Sequence, residues 1–175
     1  MALKIKEEYE SLFTDRSSLM PYVRESLSIK KKLIEIDEFD TNLRRVFNYG
    51  HTFGHAIETL SNYSIPHGQA VTLGMDLANY VSWKLGFLSF ERYKFMNQIL
   101  FKNIPEFLIT KDEIDEYMEY LSKDKKNIEK TIVCILASDF GDLFVHQVQN
   151  KSELQNLILE YFIGGIEYDK FSQKQ

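Results

Sequence analysis

Along most of this chain the apolar residues return at intervals of three and four, the period of an amphipathic α-helix, and the interruptions carry recognisable caps. The first stripe runs through Tyr22, Val23, Leu27, Ile29, Leu33 and Ile34, with Pro21 at the first-turn position where a missing N–H costs nothing. Residues 37–42 break the pattern. A second helix is predicted to carry Leu43, Val46, Phe47, Phe53, Ile57 and Leu60, ending near Ser61-Asn62 in a loop closed by Pro66. His67-Gly68 opens a third, with Val71, Met75, Ala78, Val81 and Leu85 inward and Gly86 just past its end, where left-handed backbone is favoured. Ser89 caps a fourth helix through Tyr93, Met96, Ile99 and Leu100. Thr110 with Glu113 forms a capping box for a fifth, Ile114 to Leu121.

Only one segment reads as sheet. Thr131 to Leu136, a turn at Asp139-Phe140-Gly141-Asp142, and Leu143 to Val148 predict an antiparallel hairpin. Ser152 with Gln155 boxes the start of a last helix, Leu154 to Phe162, and the polar tail from Asp169 is expected to fray. With no internal repeat and no linker, residues 1–175 read as one mainly α domain, a helical bundle with a small antiparallel β-hairpin near the C-terminus.

Composition narrows the function classes. The chain has 175 residues, 44% hydrophobic and 27% charged, which is ordinary globular usage for one domain with a real core. No stretch reaches the roughly 18 uninterrupted apolar residues of a membrane span, and the N-terminus has no apolar run of signal-peptide length. These features predict a cytoplasmic protein with no membrane partner. A net charge of −5 repels nucleic acid rather than gathering it. The single cysteine, Cys134, lies in an apolar run and reads as a small core residue rather than a catalytic thiol.

The chemistry is concentrated in the histidines. His51, His55 and His67 fall within seventeen residues, while His146 lies on the predicted hairpin. His51 and His55 stand at i, i+4 and project from one helix face, as two metal ligands, or a ligand and an acid/base, require. An antiparallel helix pair would return His67 toward them. Gly50 and Gly54 each cost a helix interior about 1 kcal/mol relative to alanine. They serve either close approach of a ligand to the imidazoles or a helix crossing that needs small residues.

The run Leu43-Arg44-Arg45-Val46-Phe47-Asn48-Tyr49-Gly50-His51-Thr52-Phe53-Gly54-His55-Ala56-Ile57-Glu58, followed by His67-Gly68-Gln69-Ala70-Val71 and Gly74-Met75, closely resembles the signature of 3-dehydroquinate synthase and related sugar-phosphate cyclases. The resemblance extends upstream through Lys30 and downstream to Asp124-Lys125-Lys126 and the hairpin. It implies the mainly helical metal- and substrate-binding domain that follows an NAD-binding α/β domain in this family; the NAD-binding domain is expected to lie outside this sequence. The implied chemistry is that of a carbon–oxygen lyase of the shikimate pathway, which eliminates phosphate from a phosphorylated seven-carbon sugar acid and closes a carbocycle. Its cofactors are a divalent metal, zinc or cobalt, and NAD held only through the other domain. The implied state is a homodimer, or association with an NAD-binding domain, and this chain alone is expected to be inactive.

By motif position the resemblance makes His51 and His67 metal ligands and His55 the histidine for proton transfer near the leaving phosphate. Spacing alone favours His51 and His55 as the ligand pair, but one helical turn permits either assignment, and the resemblance is followed. The resemblance further places Lys30 and Arg44 on the substrate carboxylate, where a planar guanidinium and a second cation suit the charge. It puts Asn48 on the substrate, Lys4 near the substrate hydroxyls, and Lys125 or Lys126 near the phosphate. On the predicted helix Arg44, seven residues before His51, shares the histidine face. Two positions depart from the family pattern: Met1 stands where a glutamate supplies the third ligand, and Gln69 replaces a usual glutamate. Alternative readings are a cyclase acting on a neutral sugar phosphate, a stand-alone non-catalytic metal-binding module, and a metal-dependent hydrolase. The hydrolase would need a carboxylate beside the histidines, for which Glu58 is the nearest candidate.

Overall fold

Among the residues that the computed structural model describes, 2–39, 43–123 and 132–163, the helical periodicity becomes seven α-helices and the alternating segment a two-stranded antiparallel sheet. Lys125 and Lys126 lie outside the described residues. None of the described helices is long and apolar enough to cross a membrane.

The chain divides into two units, Met1–Phe47 and Asn48–Gln175. The first contains α1 (Ala2–Thr14), absent from the sequence reading, and α2 (Met20–Ile36). A short 3-10 turn, Arg16–Leu19, joins them and is capped by Asp15, whose Oδ1 accepts the Ser17 N–H at 2.9 Å. The Tyr22 hydroxyl donates to the Glu8 carboxylate and ties the two helices together. α2 has no fully buried residue, and Val23, Leu27 and Ile29 of its apolar stripe are exposed.

The predicted second helix is not continuous. Leu43–Asn48 forms a 3-10 helix, Tyr49-Gly50 turns, and α3 starts afresh at His51 and ends at Leu60. Gly50 has φ +77°, a left-handed conformation that a side chain resists, so it is the cap of a new helix and not an interior residue. The break also removes the argument that Arg44 shares a helix face with His51: the two residues belong to different helices and to different units.

The second unit is built around α4 (His67–Lys84), which packs against α3, α5 (Phe90–Leu100), the hairpin and α7 (Lys151–Ile163), while α6 (Ile114–Ser122) packs on α3 and α7. Burial on nearly all sides of α4, from Ala70 to Ser82, explains why its sequence carries little polar face in the middle. On α3 the residues Phe53, Ala56 and Ile57 face inward at helical spacing, which leaves His51, His55 and Glu58 on the opposite stripe. β1 (Val133–Asp139) and β2 (Asp142–Gln147) pair with Leu136 opposite Phe144 and Cys134 opposite His146. Cys134 is buried, as its apolar surroundings predict, and burial pushes its thiol up to about 12.

Buried polar ties fix the helices that carry the histidines. Ser82 Oγ donates to the Ala78 carbonyl at 2.7 Å and accepts the Ala137 N–H at 3.0 Å, joining α4 to β1. Thr52 Oγ1 donates to the Val133 carbonyl at 3.2 Å, and the Tyr117 hydroxyl donates to the Phe53 carbonyl at 3.1 Å. Asp76, wholly buried on α4, accepts from Asn97 Nδ2 on α5 at 2.9 Å and from the Tyr161 hydroxyl on α7 at 2.7 Å. A buried carboxylate is tolerated only when hydrogen-bonded in this way.

Candidate metal centre

α3 and α4 cross at three glycines. A Cβ on Gly74 would stand 2.1 Å from the Gly50 carbonyl oxygen and 2.7 Å from the Gly54 nitrogen. One on Gly54 would stand 2.9 Å from the Val71 Cα. Both approaches are to backbone, which cannot swing away. Of the two readings of Gly50 and Gly54, the helix crossing is therefore the one observed, and it has a chemical consequence. Drawing α3 onto α4 without intervening side chains brings the outward stripe of α3 up to the first residue of α4.

There the three histidines converge. Ring centroids are 5.4 Å apart for His51 and His55, 5.5 Å for His51 and His67, and 5.7 Å for His55 and His67. Each residue offers one ligand atom, and these atoms all lie within 4.8 Å of one another. His51 is partly exposed, and His55 and His67 are exposed, so the cluster is open to solvent on one side.

Two of the three rings are held from behind. His67 Nδ1 lies 3.1 Å from both carboxylate oxygens of Glu58, whose side chain is 14% exposed. A carboxylate accepts, so Nδ1 carries the proton and Nε2 is left with its lone pair. His51 Nδ1 lies 3.2 Å from the Tyr49 carbonyl oxygen, with the same result. An imidazole held at one nitrogen by a carboxylate or carbonyl is the usual form of a metal-ligating histidine. The ring of His55 makes no hydrogen bond to another described residue. Glu58 stands at i+7 from His51 and i+3 from His55, and the spacing shows that it shares their stripe. Its partner, His67, depends on the helix pairing and is not visible in the spacing.

The donor set suits a divalent first-row metal. Neutral imidazoles are preferred ligands for zinc and its neighbours, and catalytic zinc sites use three protein ligands with a position left open. Removing the carboxylate charge behind His67 should be felt in metal binding. We expect Glu58→Gln to weaken Zn²⁺ or Co²⁺ affinity about 10–100-fold while leaving the helical circular dichroism unchanged. Isothermal titration with unchanged affinity would show that Glu58 does not hold a ligand.

The remaining candidates divide between the two units. Lys4 is exposed on α1 with Glu8 one turn on, 4.0 Å away. Lys30 is exposed on α2. The Arg44 guanidinium donates to the Glu38 carbonyl at 2.7 Å, and the Arg44 N–H donates to the buried Asp37 carboxylate at 3.0 Å. All three belong to the first unit, the histidines to the second. Asn48 ends the 3-10 turn two residues before Gly50. His146 stands apart on β2 against Phe87 and Phe144, and burial lowers its pKa.

Comparison with known proteins agrees with this geometry. Residues 2–127 match the model of the 3-dehydroquinate synthase C-terminal family. The chain is 36% identical over 149 residues to 3-dehydroquinate synthase of Dictyoglomus turgidum, covering 83% of this chain and 41% of that protein. It is 32% identical over 149 residues to the Helicobacter hepaticus 3-dehydroquinate synthase, covering 84% and 42%. It thus spans about two fifths of the length of these relatives. Among solved structures, 2-deoxy-scyllo-inosose synthase complexed with carbaglucose-6-phosphate, NAD⁺ and Co²⁺ superposes with a TM-score of 0.70 at 25% identity, over 82% of this chain and 41% of that one. The fold is shared with the 2-epi-5-epi-valiolone synthase of Streptomyces hygroscopicus with NAD⁺ and Zn²⁺ bound, at a TM-score of 0.70 and 18% identity, over 89% and 44%. With the family model spanning most of the sequence and the histidine stripe assembled at the α3–α4 crossing, the chain belongs to the 3-dehydroquinate synthase C-terminal family.

Proposed function

We propose that this chain is the metal- and substrate-binding part of a 3-dehydroquinate synthase, eliminating phosphate from a phosphorylated seven-carbon sugar acid and closing a carbocycle when joined to an NAD-binding domain. The observation that carries the proposal is the convergence of His51, His55 and His67 within ligand distance of one another, in a chain 36% identical to a curated synthase. His51 and His67 are the metal ligands by motif position, and Tyr49 and Glu58 hold their rings at Nδ1. A divalent ion bound there supplies Lewis-acid polarisation of a substrate hydroxyl. His55, whose ring no described residue restrains by a hydrogen bond, is left to take and return a proton beside the leaving phosphate.

Lys30 and Arg44 are assigned to the substrate carboxylate, Asn48 to a further substrate contact, Lys4 to a catalytic position near the substrate hydroxyls, and Lys125 or Lys126 to the phosphate. These assignments rest on motif position. A second reading, in which the substrate is a neutral sugar phosphate, draws on the structural likeness to an inosose synthase complexed with a carbaglucose phosphate. The higher identity to curated 3-dehydroquinate synthases favours the sugar acid.

Turnover decides between them. Fused to the N-terminal part of the Dictyoglomus turgidum synthase and supplied with NAD⁺ and Co²⁺, the chain is expected to release phosphate from a seven-carbon sugar-acid phosphate in preference to glucose 6-phosphate. Arg44→Ala should lower kcat/KM on the sugar acid by roughly 30-fold or more, as expected when one partner of a charge pair worth about 2–5 kcal/mol is lost. Preference for the neutral sugar, or an Arg44→Ala variant with full activity on the acid, would defeat the proposal.

A further inference from the structure

His51 opens α3 directly after a turn, an unpromising place for a residue whose ring must keep one orientation. The turn itself is held at two points by α4. At the first, the Gly50 carbonyl rests in the space left by the missing side chain of Gly74, and the positive φ of Gly50 directs the chain between Tyr49 and His51. At the second, the Tyr49 hydroxyl donates to Oδ1 of Asn79, thirty residues away in sequence on α4. The Tyr49 carbonyl then accepts from His51 Nδ1 at 3.2 Å.

Asn79 is hard to explain by packing. It is wholly buried, and among the described residues its Nδ2 has no hydrogen-bond partner. An unpaired buried donor opposes folding, whereas an apolar residue of similar volume, with phenylalanine in place of Tyr49, would remove the problem altogether. What the amide does provide is an acceptor for the Tyr49 phenol.

We infer that Asn79 and Tyr49 are positioning residues for His51: the Asn79 side chain clamps the Tyr49 phenol and so fixes the peptide whose carbonyl orients the His51 ring. The inference rests on the reading of His51 as a metal ligand. It extends the support of that ligand from a neighbouring carbonyl to a residue in the middle of a different helix, itself anchored by Asp76 one turn earlier. An outer partner bonded directly to a ligand typically changes affinity 10–100-fold. One step further removed, the effect should be about 3–10-fold.

Titration of the full chain with Co²⁺, followed by visible absorption and set beside thermal unfolding, tests this. Tyr49→Phe keeps the ring and loses only the hydroxyl; Asn79→Leu keeps the volume and loses only the amide. Each should weaken Co²⁺ binding and shift the cobalt absorption bands. The double variant leaves neither partner orphaned, so its thermal midpoint should recover toward that of the parent while its cobalt affinity and spectrum stay altered. A purely structural role would make affinity recover with stability. His51→Ala separates the two levels of the argument. Unchanged cobalt binding in His51→Ala would overturn the ligand assignment and this inference with it. Weakened binding in His51→Ala, with parental affinity and spectrum in Tyr49→Phe or in the double variant, would overturn the inference alone. Should Asn79→Leu fail to fold, Tyr49→Phe decides.

Discussion

Gly74→Ala is expected to destabilise the protein by about 3 kcal/mol or more and to weaken metal binding in the same variant. Overpacking a core typically costs 1–3 kcal/mol when side chains can adjust. Here the new methyl would meet the Gly50 carbonyl at 2.1 Å and the Gly54 nitrogen at 2.7 Å, so α3 as a whole must retreat from α4. For a chain of this length, a loss of about 3 kcal/mol lowers the thermal midpoint by roughly 6–12 °C. The retreat also separates His51 and His55, on α3, from His67, on α4. Gly68→Ala is the control. A Cβ there meets nothing within 4 Å, and alanine is the better helix former by about 1 kcal/mol, so stability should hold or rise slightly. Thermal unfolding of both variants checks the argument, and equal midpoints would mean that the close crossing is not what the glycines provide.

The largest effect on binding is expected from the ligands themselves. Two imidazoles completed by water or by a further donor make a modest site, and losing either should weaken Zn²⁺ or Co²⁺ binding by about 100-fold or more, beyond the 10–100-fold expected of a supporting residue. His51→Ala and His67→Ala should behave alike, and Glu58→Gln should follow His67→Ala in direction with a smaller loss. His55→Ala should bind metal within a few-fold of the parent, and in the fused enzyme it should lose turnover by about 100-fold, the low end of a general acid–base contribution. Calorimetry distinguishes the patterns. A His55→Ala variant that abolishes binding beside a tight His67→Ala variant would exchange the two roles.

Much of this was legible in residue order, and the exceptions share a cause. Ser89 caps α5 as its position predicts, with the Arg92 N–H on its oxygen at 3.3 Å; of the box predicted at Thr110 and Glu113 only the return bond forms, Glu113 accepting the Thr110 N–H at 2.9 Å, while α6 is capped by Glu113 without a side-chain bond. β1 runs three residues past its predicted end at Leu136 and β2 lies within one residue of both predicted ends, while the predicted start at Thr131 falls outside the described residues. At α7 the predicted Ser152 is displaced by Asn150, whose Oδ1 accepts the Glu153 N–H at 3.1 Å, because an amide two residues earlier does the same work. α1 is not among the predicted helices, although Leu3, Ile5, Tyr9 and Leu12 recur along its thirteen residues among lysines and glutamates. The break at Gly50 could not be read locally, since its left-handed backbone is matched by contacts with α4, and glycines spaced at four look helical in sequence. The same holds for the site. The stripe of His51, His55 and Glu58 is visible in the spacing, and the return of His67 follows from an antiparallel helix pair, but the pairing of Glu58 with His67 and of Tyr49 with Asn79 exists only once α3 and α4 are packed.

The assignment of the three histidines is tested most directly by crystals of the chain grown with Co²⁺ and measured at the cobalt absorption edge. The account predicts an anomalous peak within about 2.2 Å of Nε2 of both His51 and His67, with Glu58 still on Nδ1 of His67 and the His55 ring outside bonding distance. A peak bonded to His55 in place of either, or no peak at the α3–α4 crossing at saturating cobalt, would contradict it.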